Sequence, residues 1–253
     1  MKIKYCLTYL IVMIFAFFSK ANETSQSFEE GNLYYKEGSY YEAIESYETI
    51  LQNGVANFET YYNLGNAYFK TGQVPLAIYY YEKALQLNPA NEDAKHNLSF
   101  VNSLIAGDSK VVPQAFHIRF ADAVMKIMSP DAWAVTGILL FVLTLVALAF
   151  FLLQTNIKLK RLLFYASFLG IILTISSWYF GSRMHKSITQ SDYAIIMVAS
   201  AGIKSSPDKS SADIYVANAG TKVKILSKLG DWFEVRVPDG NKGWIQIESL
   251  KQL

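Results

Sequence analysis

Apolar residues are arranged in three different patterns along the chain. Residues 132–153 and 162–180 form two stretches of 22 and 19 residues without a charged side chain, close to the roughly 20 residues that a membrane-spanning helix needs. Before them, a set of glycine, alanine and tyrosine positions recurs every 34 residues, as in repeated helix pairs. After them, Val223 and Ile225 alternate with lysines, which predicts strands. The chain is therefore predicted to contain a helical region, a two-helix hairpin and a β domain.

Residues 1–21 have the composition of a secretory signal peptide. Lys2 and Lys4 form a basic start, an apolar run follows over residues 9–18, and small residues stand at a cleavage position near Ala21. The apolar run is shorter than the roughly 20 residues of a span, which favours cleavage over an uncleaved first membrane span. The single cysteine, Cys6, lies in this segment, so the mature chain is predicted to contain no thiol.

The segment between the two apolar stretches predicts their orientation. Residues 154–161 carry Lys158, Lys160 and Arg161 and no acidic residue, and Lys and Arg favour cytoplasmic loops. This loop is therefore predicted to be cytoplasmic, with both terminal domains on the periplasmic side of the bacterial cytoplasmic (inner) membrane. Arg183 and Lys186, beyond the second stretch, reduce the charge contrast.

The 34-residue period consists of five positions that keep their residue types. Gly31, Tyr34, Gly38, Ala43 and Tyr47 recur as Gly65, Tyr68, Gly72, Ala77 and Tyr81. These segments resemble tetratricopeptide repeats, with small residues at close helix crossings, packed aromatics and a glycine in the turn. The resemblance implies an all-α domain over residues 22–105, with repeats at 24–57 and 58–91 and a capping helix at 92–105. Glu30 departs from the motif, which has leucine there.

In this family, the first helices of the repeats line a concave groove. The resemblance places the following residues there: Phe28, Asn32, Tyr35, Lys36, Tyr62, Asn66, Phe69, Lys70, His96 and Asn97. An asparagine side chain can donate to and accept from a peptide backbone, so the groove is predicted to bind an extended peptide or a partner helix. Alternatively, the aromatics pack between repeats. Residues 22–105 hold 11 acidic and 4 basic residues, a net charge of −7, which indicates a solvated acidic face or attraction of a basic partner.

Residues 106–131 connect the repeats to the first apolar stretch. Phe116, Phe120, Val124 and Ile127 stand at helical spacing within this segment, which predicts a short amphipathic helix. Such a helix next to a span either lies in the membrane interface or packs on the last repeat.

The C-terminal residues 191–253 are predicted to form about five short strands, enough for an all-β small barrel. The segments GIKSSPDKSS, AGTKVKIL and GDWFEVRVPDGNKGWI resemble a bacterial SH3-type domain. The resemblance implies contacts with cell-wall peptides or proteins, and Tyr215, Trp232 and Trp244 are the candidate ligand-contacting aromatics. In the alternative interpretation, Trp244 closes the core. Residues 204–207 depart from the arginine, serine, glycine and proline usual in the family.

Composition excludes several classes of function. The chain of 253 residues is 52% apolar and 17% charged, with mean hydropathy +0.18 and net charge +2. This composition excludes a disordered chain, and the small net charge provides no strong positive electrostatic field that would attract nucleic acid. His96, His117 and His185 lack metal-ligand spacing, and no nucleotide loop or nucleophile elbow is present. The sequence therefore predicts no catalytic residues, no metal and no cofactor.

The order of the three parts, together with the segment Ser129-Pro130-Asp131-Ala132-Trp133, resembles the E-type (BatE-like) proteins of the aerotolerance (Bat) operon. The resemblance implies a non-enzymatic membrane scaffold or adaptor that assembles with sibling Bat-operon membrane proteins and is linked to aerotolerance or oxidative stress. The alternative is a protein that binds or senses peptidoglycan through its SH3-type domain.

Overall fold

The computed structural model describes residues 25–105, 116–189 and 191–253. The predicted signal peptide and residues 106–115 lie outside the described residues. The chain forms two compact units, of which one contains the N-terminal helices and the C-terminal sheet and the other contains the apolar helices. The predicted fold class is confirmed, since a helical repeat region, two long apolar helices and an antiparallel sheet follow one another.

The N-terminal part consists of two helix pairs and one further helix. Helix α1 covers residues 25–37 of the described chain, and it is followed by α2 (Tyr40–Gln52), α3 (Phe58–Lys70), α4 (Val74–Leu87) and α5 (Glu92–Ile105). Each pair turns at a glycine with positive φ, Gly38 at 82° and Gly72 at 75°, a conformation that side chains with a Cβ rarely adopt. The 34-residue period of the sequence is therefore a period of backbone conformation as well.

The two helices of each pair cross closely because their contact positions are small. A Cβ placed on Gly31 would lie 2.5 Å from the Tyr47 ring, and one on Gly65 would lie 2.6 Å from the Tyr81 ring. Both tyrosines are almost fully buried. The glycines and tyrosines of the period are therefore complementary partners in the repeat core.

The second unit contains α6 (Phe116–Met125), α7 (Pro130–Leu153) and α8 (Ile157–Thr189). Helices α7 and α8 pack against each other along their length and are long and apolar enough to cross a membrane. Their contact uses small polar residues: the Ser177 hydroxyl donates a 2.8 Å hydrogen bond to the Trp133 carbonyl, and Thr144 contacts Gly170. Small residues of this kind allow helices to approach closely in membranes.

The connection between α7 and α8 is shorter than the predicted loop over residues 154–161. Helix α8 already begins at Ile157, so Lys158, Lys160 and Arg161 lie in its first turns. The Asn156 side chain accepts a 3.0 Å hydrogen bond from the Lys158 backbone N–H, which caps the helix N-terminus. Helix α8 also extends beyond the apolar stretch 162–180, because intrahelical hydrogen bonds do not require apolar side chains.

The C-terminal part, residues 193–253 and hereafter the sheet domain, contains seven strands rather than about five. They are β1 (Tyr193–Ile196), β2 (Ser200–Lys204), β3 (Asp213–Asn218), β4 (Lys222–Leu229), β5 (Trp232–Arg236), β6 (Lys242–Gln246) and β7 (Leu250–Gln252). They form one sheet in the order β3-β2-β6-β5-β4-β1-β7, and all described pairings are antiparallel. The predicted alternation is correct in β5, where Phe233 and Val235 are buried. Strand β3 was not recognised because Ile214 and Val216 are half exposed and the small Ala217 is buried.

Candidate functional site

Asparagine side chains from two helices of the repeats, α1 and α3, line a concave pocket. The pocket has a volume of ≈ 160 Å³, and its lining residues are Asn32, Tyr35, Lys36, Tyr47, Asn63 and Asn66. Four of these, Asn32, Tyr35, Lys36 and Asn66, are among the ten residues predicted for the groove.

Asn32 on α1 is held in one orientation by two donors. Its Oδ1 accepts a 2.8 Å hydrogen bond from the Tyr47 hydroxyl and a 3.0 Å hydrogen bond from Asn63 Nδ2. Asn63 Nδ2 is also 3.4 Å from the Tyr47 oxygen. Because its carbonyl oxygen is occupied by these donors, Asn32 offers its Nδ2 N–H groups to a ligand.

The same arrangement recurs one repeat later. Asn66 Oδ1 accepts from the Tyr81 hydroxyl at 2.6 Å and from Asn97 Nδ2 at 3.0 Å, and Asn97 Nδ2 is also 3.2 Å from the Tyr62 hydroxyl. Asn66, Tyr81 and Asn97 stand 34 residues after Asn32, Tyr47 and Asn63, whereas the position 34 residues before Tyr62 is Phe28. The repeats therefore build two equivalent amide pairs, Asn32 with Asn63 and Asn66 with Asn97, which we call the amide column.

The two members of each pair differ in hydrogen-bonding capacity. Asn32 and Asn66 accept through Oδ1 and retain Nδ2 donors, whereas Asn63 and Asn97 donate through Nδ2 and retain Oδ1 acceptors. Donors and acceptors therefore alternate along the amide column. A peptide backbone also carries one donor and one acceptor per residue, so the column matches its chemistry.

The tyrosines that fix the amides stay protonated over a wide pH range. Burial raises the pKa of Tyr47 to about 12; the hydrogen bond with Asn63 lowers this pKa in part, and the nearby Tyr35 and Glu29 raise it. Burial also raises the pKa of Tyr35, and the neighbouring Tyr40 and Tyr62 add to this. The Tyr47 hydroxyl is therefore a donor at neutral pH, as its bond to Asn32 requires.

The predicted groove aromatics also contact other rings of the repeats. Phe28 lies 6.0 Å from Tyr47, Tyr35 lies 5.2 Å from Tyr40, Tyr62 stacks on Phe58 at 5.7 Å and Phe69 lies 5.8 Å from Phe100, all between ring centroids. Phe58 and Tyr62 lie on the same helix, and the ring pairs of Phe28 and Tyr35 lie within the first repeat. Only the contact of Phe69 with Phe100, between α3 and α5, supports the alternative that the aromatics pack between repeats. Lys36, Lys70 and His96 are exposed, so they are available to a ligand.

Two pocket residues were missed by sequence reasoning. Tyr47 was interpreted only as a packing aromatic, and Asn63 was not named, although Asn63 and Asn97 are 34 residues apart. A search for every pair of identical polar residues at this period would have found Asn63. The hydroxyl of Tyr47 could not be assigned to the groove, because its direction depends on how α1 and α2 cross.

The candidate aromatics of the sheet domain lie on different faces. Trp232 is opposite Gln246 and Trp244 is opposite Glu234 in the β5–β6 pairing, so the two indoles are diagonal neighbours on the face away from the buried Phe233 and Val235. Tyr215 instead packs against the buried cluster of the domain. The two tryptophans therefore form a common surface that does not include Tyr215.

Within the described residues, no group of three or more His, Cys, Asp or Glu side chains is arranged to hold a metal ion. His96 is exposed on α5. The amide column and the two-tryptophan surface are candidate binding sites.

Comparison with known families agrees with this geometry. The model of the tetratricopeptide repeat matches residues 58–91. A second model, described as TPR repeat, matches residues 31–72, and the model of the bacterial SH3 domain matches residues 199–251. No characterised protein matched the chain when whole sequences were compared. The predicted repeats and SH3-type domain are therefore confirmed, and both kinds of domain are typically non-catalytic.

Proposed function

We propose that the protein is a non-enzymatic, membrane-anchored adaptor that binds an extended segment of a partner protein in the groove of its repeats. The observation that carries this proposal is the amide column. In it, Tyr47 and Tyr81 hold Asn32 and Asn66 with their Nδ2 donors free for a ligand.

Three features of the pocket favour an extended peptide as the ligand. The alternating donors and acceptors of the column match a backbone, whose N–H and C=O groups are paired within an α-helix but free in an extended segment. Lys36 at the rim of the pocket adds a positive charge that attracts a carboxylate. The Tyr35 ring lines the same pocket and supplies apolar contact area for a side chain of the partner.

The anchor in this proposal is the α7–α8 hairpin, which spans the bacterial inner membrane. Lys158, Lys160 and Arg161, in the first turns of α8, then face the cytoplasm by the distribution of positive residues. Phe116 and Phe120 on α6 are exposed and stacked at 6.3 Å, which supports insertion of α6 into the membrane interface. The repeats and the sheet domain are periplasmic in this arrangement.

The partner class follows from the resemblance of the architecture to E-type proteins of the Bat operon. We infer that the groove binds other Bat-operon membrane proteins and that the complex contributes to aerotolerance or the response to oxidative stress. The order of repeats, hairpin and SH3-type domain supports this assignment, as does the Ser-Pro-Asp-Ala-Trp segment that begins α7 at Pro130.

A photo-crosslinking experiment in native membranes tests the groove. A photoreactive amino acid replaces Lys36, at the rim of the pocket, and in a matched control it replaces Glu45, exposed on α2. We expect a partner adduct from position 36 that disappears when Asn32 and Asn66 are replaced by alanine, and no such adduct from position 45. Adducts that are unaffected by the two alanine substitutions would contradict binding through the amide column.

A second candidate function is peptidoglycan binding by the sheet domain. The observation that favours it is the common surface of Trp232 and Trp244, because neighbouring aromatic rings can stack on the apolar faces of sugar rings. Co-sedimentation of the full chain in detergent with purified peptidoglycan tests this function. We expect Trp232→Ala with Trp244→Ala to abolish sedimentation and Tyr215→Phe to leave it unchanged. A wild-type chain that stays in the supernatant would remove this candidate.

A further inference from the structure

The sheet domain contributes to the hydrophobic core of the repeats. Ile195 on β1 and the C-terminal Leu253 are buried in the same cluster as Ile78, Tyr80 and Tyr81. Ile195 is fully buried, and Leu253 is 6% exposed. The two parts of this compact unit are therefore joined by apolar contact and not only by the chain that connects them.

The backbone conformation at Gly220 allows the sheet domain to approach the repeats closely. Gly220, in the turn before β4, has φ of +85° and faces α4 and α5. A Cβ on this glycine would lie 2.8 Å from Ile105 Cδ1 and 2.9 Å from Ile78 Cδ1, closer than carbon atoms pack. The turn thus fits between two helices of the repeats at a position that accepts no side chain.

Two lysines of the sheet domain lie around the apolar contact, one in an ion pair and one over aromatic rings of the repeats. Lys222 Nζ on β4 forms a 2.7 Å ion pair with Glu82 on α4. The Lys251 ammonium lies 4.4 Å from the centre of the Tyr79 ring and 5.2 Å from that of Tyr80, within the range of cation–π attraction. Since residues 22–105 carry a net charge of −7, lysines on the sheet domain are well suited to face them.

The lysine at this joint is also connected, through Glu48, to helices α2 and α3 of the repeats. Glu48 on α2 attracts Lys251, and it accepts a 2.5 Å hydrogen bond from Tyr68 on α3 and a 3.4 Å hydrogen bond from Tyr80 on α4. Burial lowers the pKa of both Lys251 and Lys83, and the nearby Lys251 lowers that of Lys83 further. Both lysines are partly buried at this contact between the sheet domain and α4.

We propose that the sheet domain is the terminal cap of the repeat array, so that repeats and sheet domain fold and act as one body. The residues that the structure describes contain two repeats and one further helix, fewer than the roughly three repeats that such arrays need for stability, and the ends of repeat arrays require caps. The sheet domain supplies this cap from the far end of the chain. The inference goes beyond the proposed groove function, because it concerns Glu82, Lys222 and Lys251, which lie outside the amide column.

The cap has a consequence for assembly of the protein. The sheet domain follows α7 and α8 in the chain, so it can reach α4 only if both ends of the hairpin are on the same side of the membrane. The repeats are then completed only after the C-terminal residues have arrived on that side. We therefore expect a partner to bind the groove only after the whole chain has been inserted into the membrane.

Crosslinking of the full chain in membranes tests the contact. Cys6→Ser first removes the only cysteine of the chain. In this background, Glu82→Cys and Lys222→Cys introduce two cysteines that a short bismaleimide joins. A bismaleimide is used because the paired side chains are long, whereas a disulfide needs Cβ atoms about 4 Å apart. A protease site inserted after Thr155 then cuts the chain between the repeats and the sheet domain. We expect the crosslinked chain to stay in one piece. A control pair, Glu82→Cys with Asp239→Cys in the β5–β6 turn, should separate into two fragments.

Hydrogen exchange of the full chain tests the capping role itself. Lys251→Glu places a negative charge beside Glu48 and removes the cation–π contact. We expect amide exchange to become at least tenfold faster in α4 as well as in β1, whereas Lys209→Glu, on an exposed turn, should change neither. Faster exchange in β1 alone would overturn the cap. Failure of the bismaleimide to join positions 82 and 222 in the Cys6→Ser chain would also overturn it, and neither result would affect crosslinking from position 36.

Discussion

The hydroxyl of Tyr47 donates a 2.8 Å hydrogen bond to Oδ1 of Asn32, across the crossing of α1 and α2. Through this bond, a core residue of the repeat determines which atom of the Asn32 amide is occupied and which is left for the proposed ligand. Tyr81 does the same to Asn66 at 2.6 Å. The packing of the repeat and the chemistry of the groove are thus set by the same two side chains.

These hydrogen bonds predict that aspartate substitutions of Asn32 and Asn66 weaken partner binding, whereas the alanine substitution of Asn32 mainly lowers stability. Asn32→Asp with Asn66→Asp keeps an oxygen that accepts from Tyr47 and Tyr81 but replaces the Nδ2 donors with a second, negatively charged oxygen. We expect partner crosslinking from position 36 to fall about tenfold or more, since each lost hydrogen bond costs about 1 kcal/mol and carbonyl groups of the ligand are repelled.

The stability of the same variants provides the control. Asn32→Ala leaves the buried Tyr47 hydroxyl without its acceptor and should lower the free energy of unfolding by about 1–3 kcal/mol, whereas Asn32→Asp should be less costly. Thermal or urea unfolding of the purified chain measures the difference. Equal losses of stability would show that Oδ1 of Asn32 does not hold Tyr47 in solution.

A second prediction concerns the close helix crossing in the second repeat. Gly65→Ala introduces a Cβ that would lie 2.6 Å from the Tyr81 ring, and such overpacking costs about 1–3 kcal/mol. In a Tyr81→Leu background, where the ring is absent, the same substitution should cost much less. A double-mutant cycle of urea unfolding gives this coupling; additive effects would contradict direct contact between the two positions.

A third prediction is that the repeats lose stability in alkali. Burial raises the pKa of Tyr47 and of Tyr79 to about 12, above the value of about 10 for an exposed tyrosine. The folded state therefore holds these protons more tightly, and the stability that this contributes is complete below about pH 10 and is lost as the pH rises from about 10 to about 12. Unfolding midpoints at about pH 8 and about pH 11 measure the loss, which should be smaller in Tyr47→Phe.

The fourth prediction concerns the orientation of the hairpin. Alkaline phosphatase, which is active only after export, is fused at Lys160 or, through a flexible linker, after Leu253. We expect activity from the fusion after Leu253 and none from the fusion at Lys160, because positive residues are retained in the cytoplasm. If the fusion after Leu253 is inactive and a membrane-impermeant reagent does not label the C-terminus, the sheet domain is intracellular and the proposed orientation is wrong.

Much of the fold could be predicted because its signals are local. The 34-residue period identifies the repeats, two uncharged stretches identify α7 and α8, and alternation around Phe233 and Val235 identifies β5. The start of α8 at Ile157 was missed because it depends on a cap from Asn156, a single side chain between two apolar stretches. Strand β3 was missed because its apolar residues are on the exposed face and its buried position is a small alanine.

The candidate groove could be predicted only in part. Asn32 and Asn66 were predicted from the resemblance to the repeat family, and their spacing equals the period. The periodic spacing alone could not indicate that their oxygens are occupied and that their nitrogens remain for a ligand. That information depends on the direction of the Tyr47 and Tyr81 hydroxyls, which the crossing angle of the helices determines.

By itself, the sequence determined the kinds of element and their order, because hydrophobic periodicity and helix and turn preferences act between residues that are close in the chain. The tertiary structure alone decided which distant residues meet. It placed Lys222 against Glu82, 140 residues apart in the chain, and buried Leu253 in the core of the repeats. Such contacts depend on the shape and charge of two finished surfaces, and no periodic pattern in the chain records them.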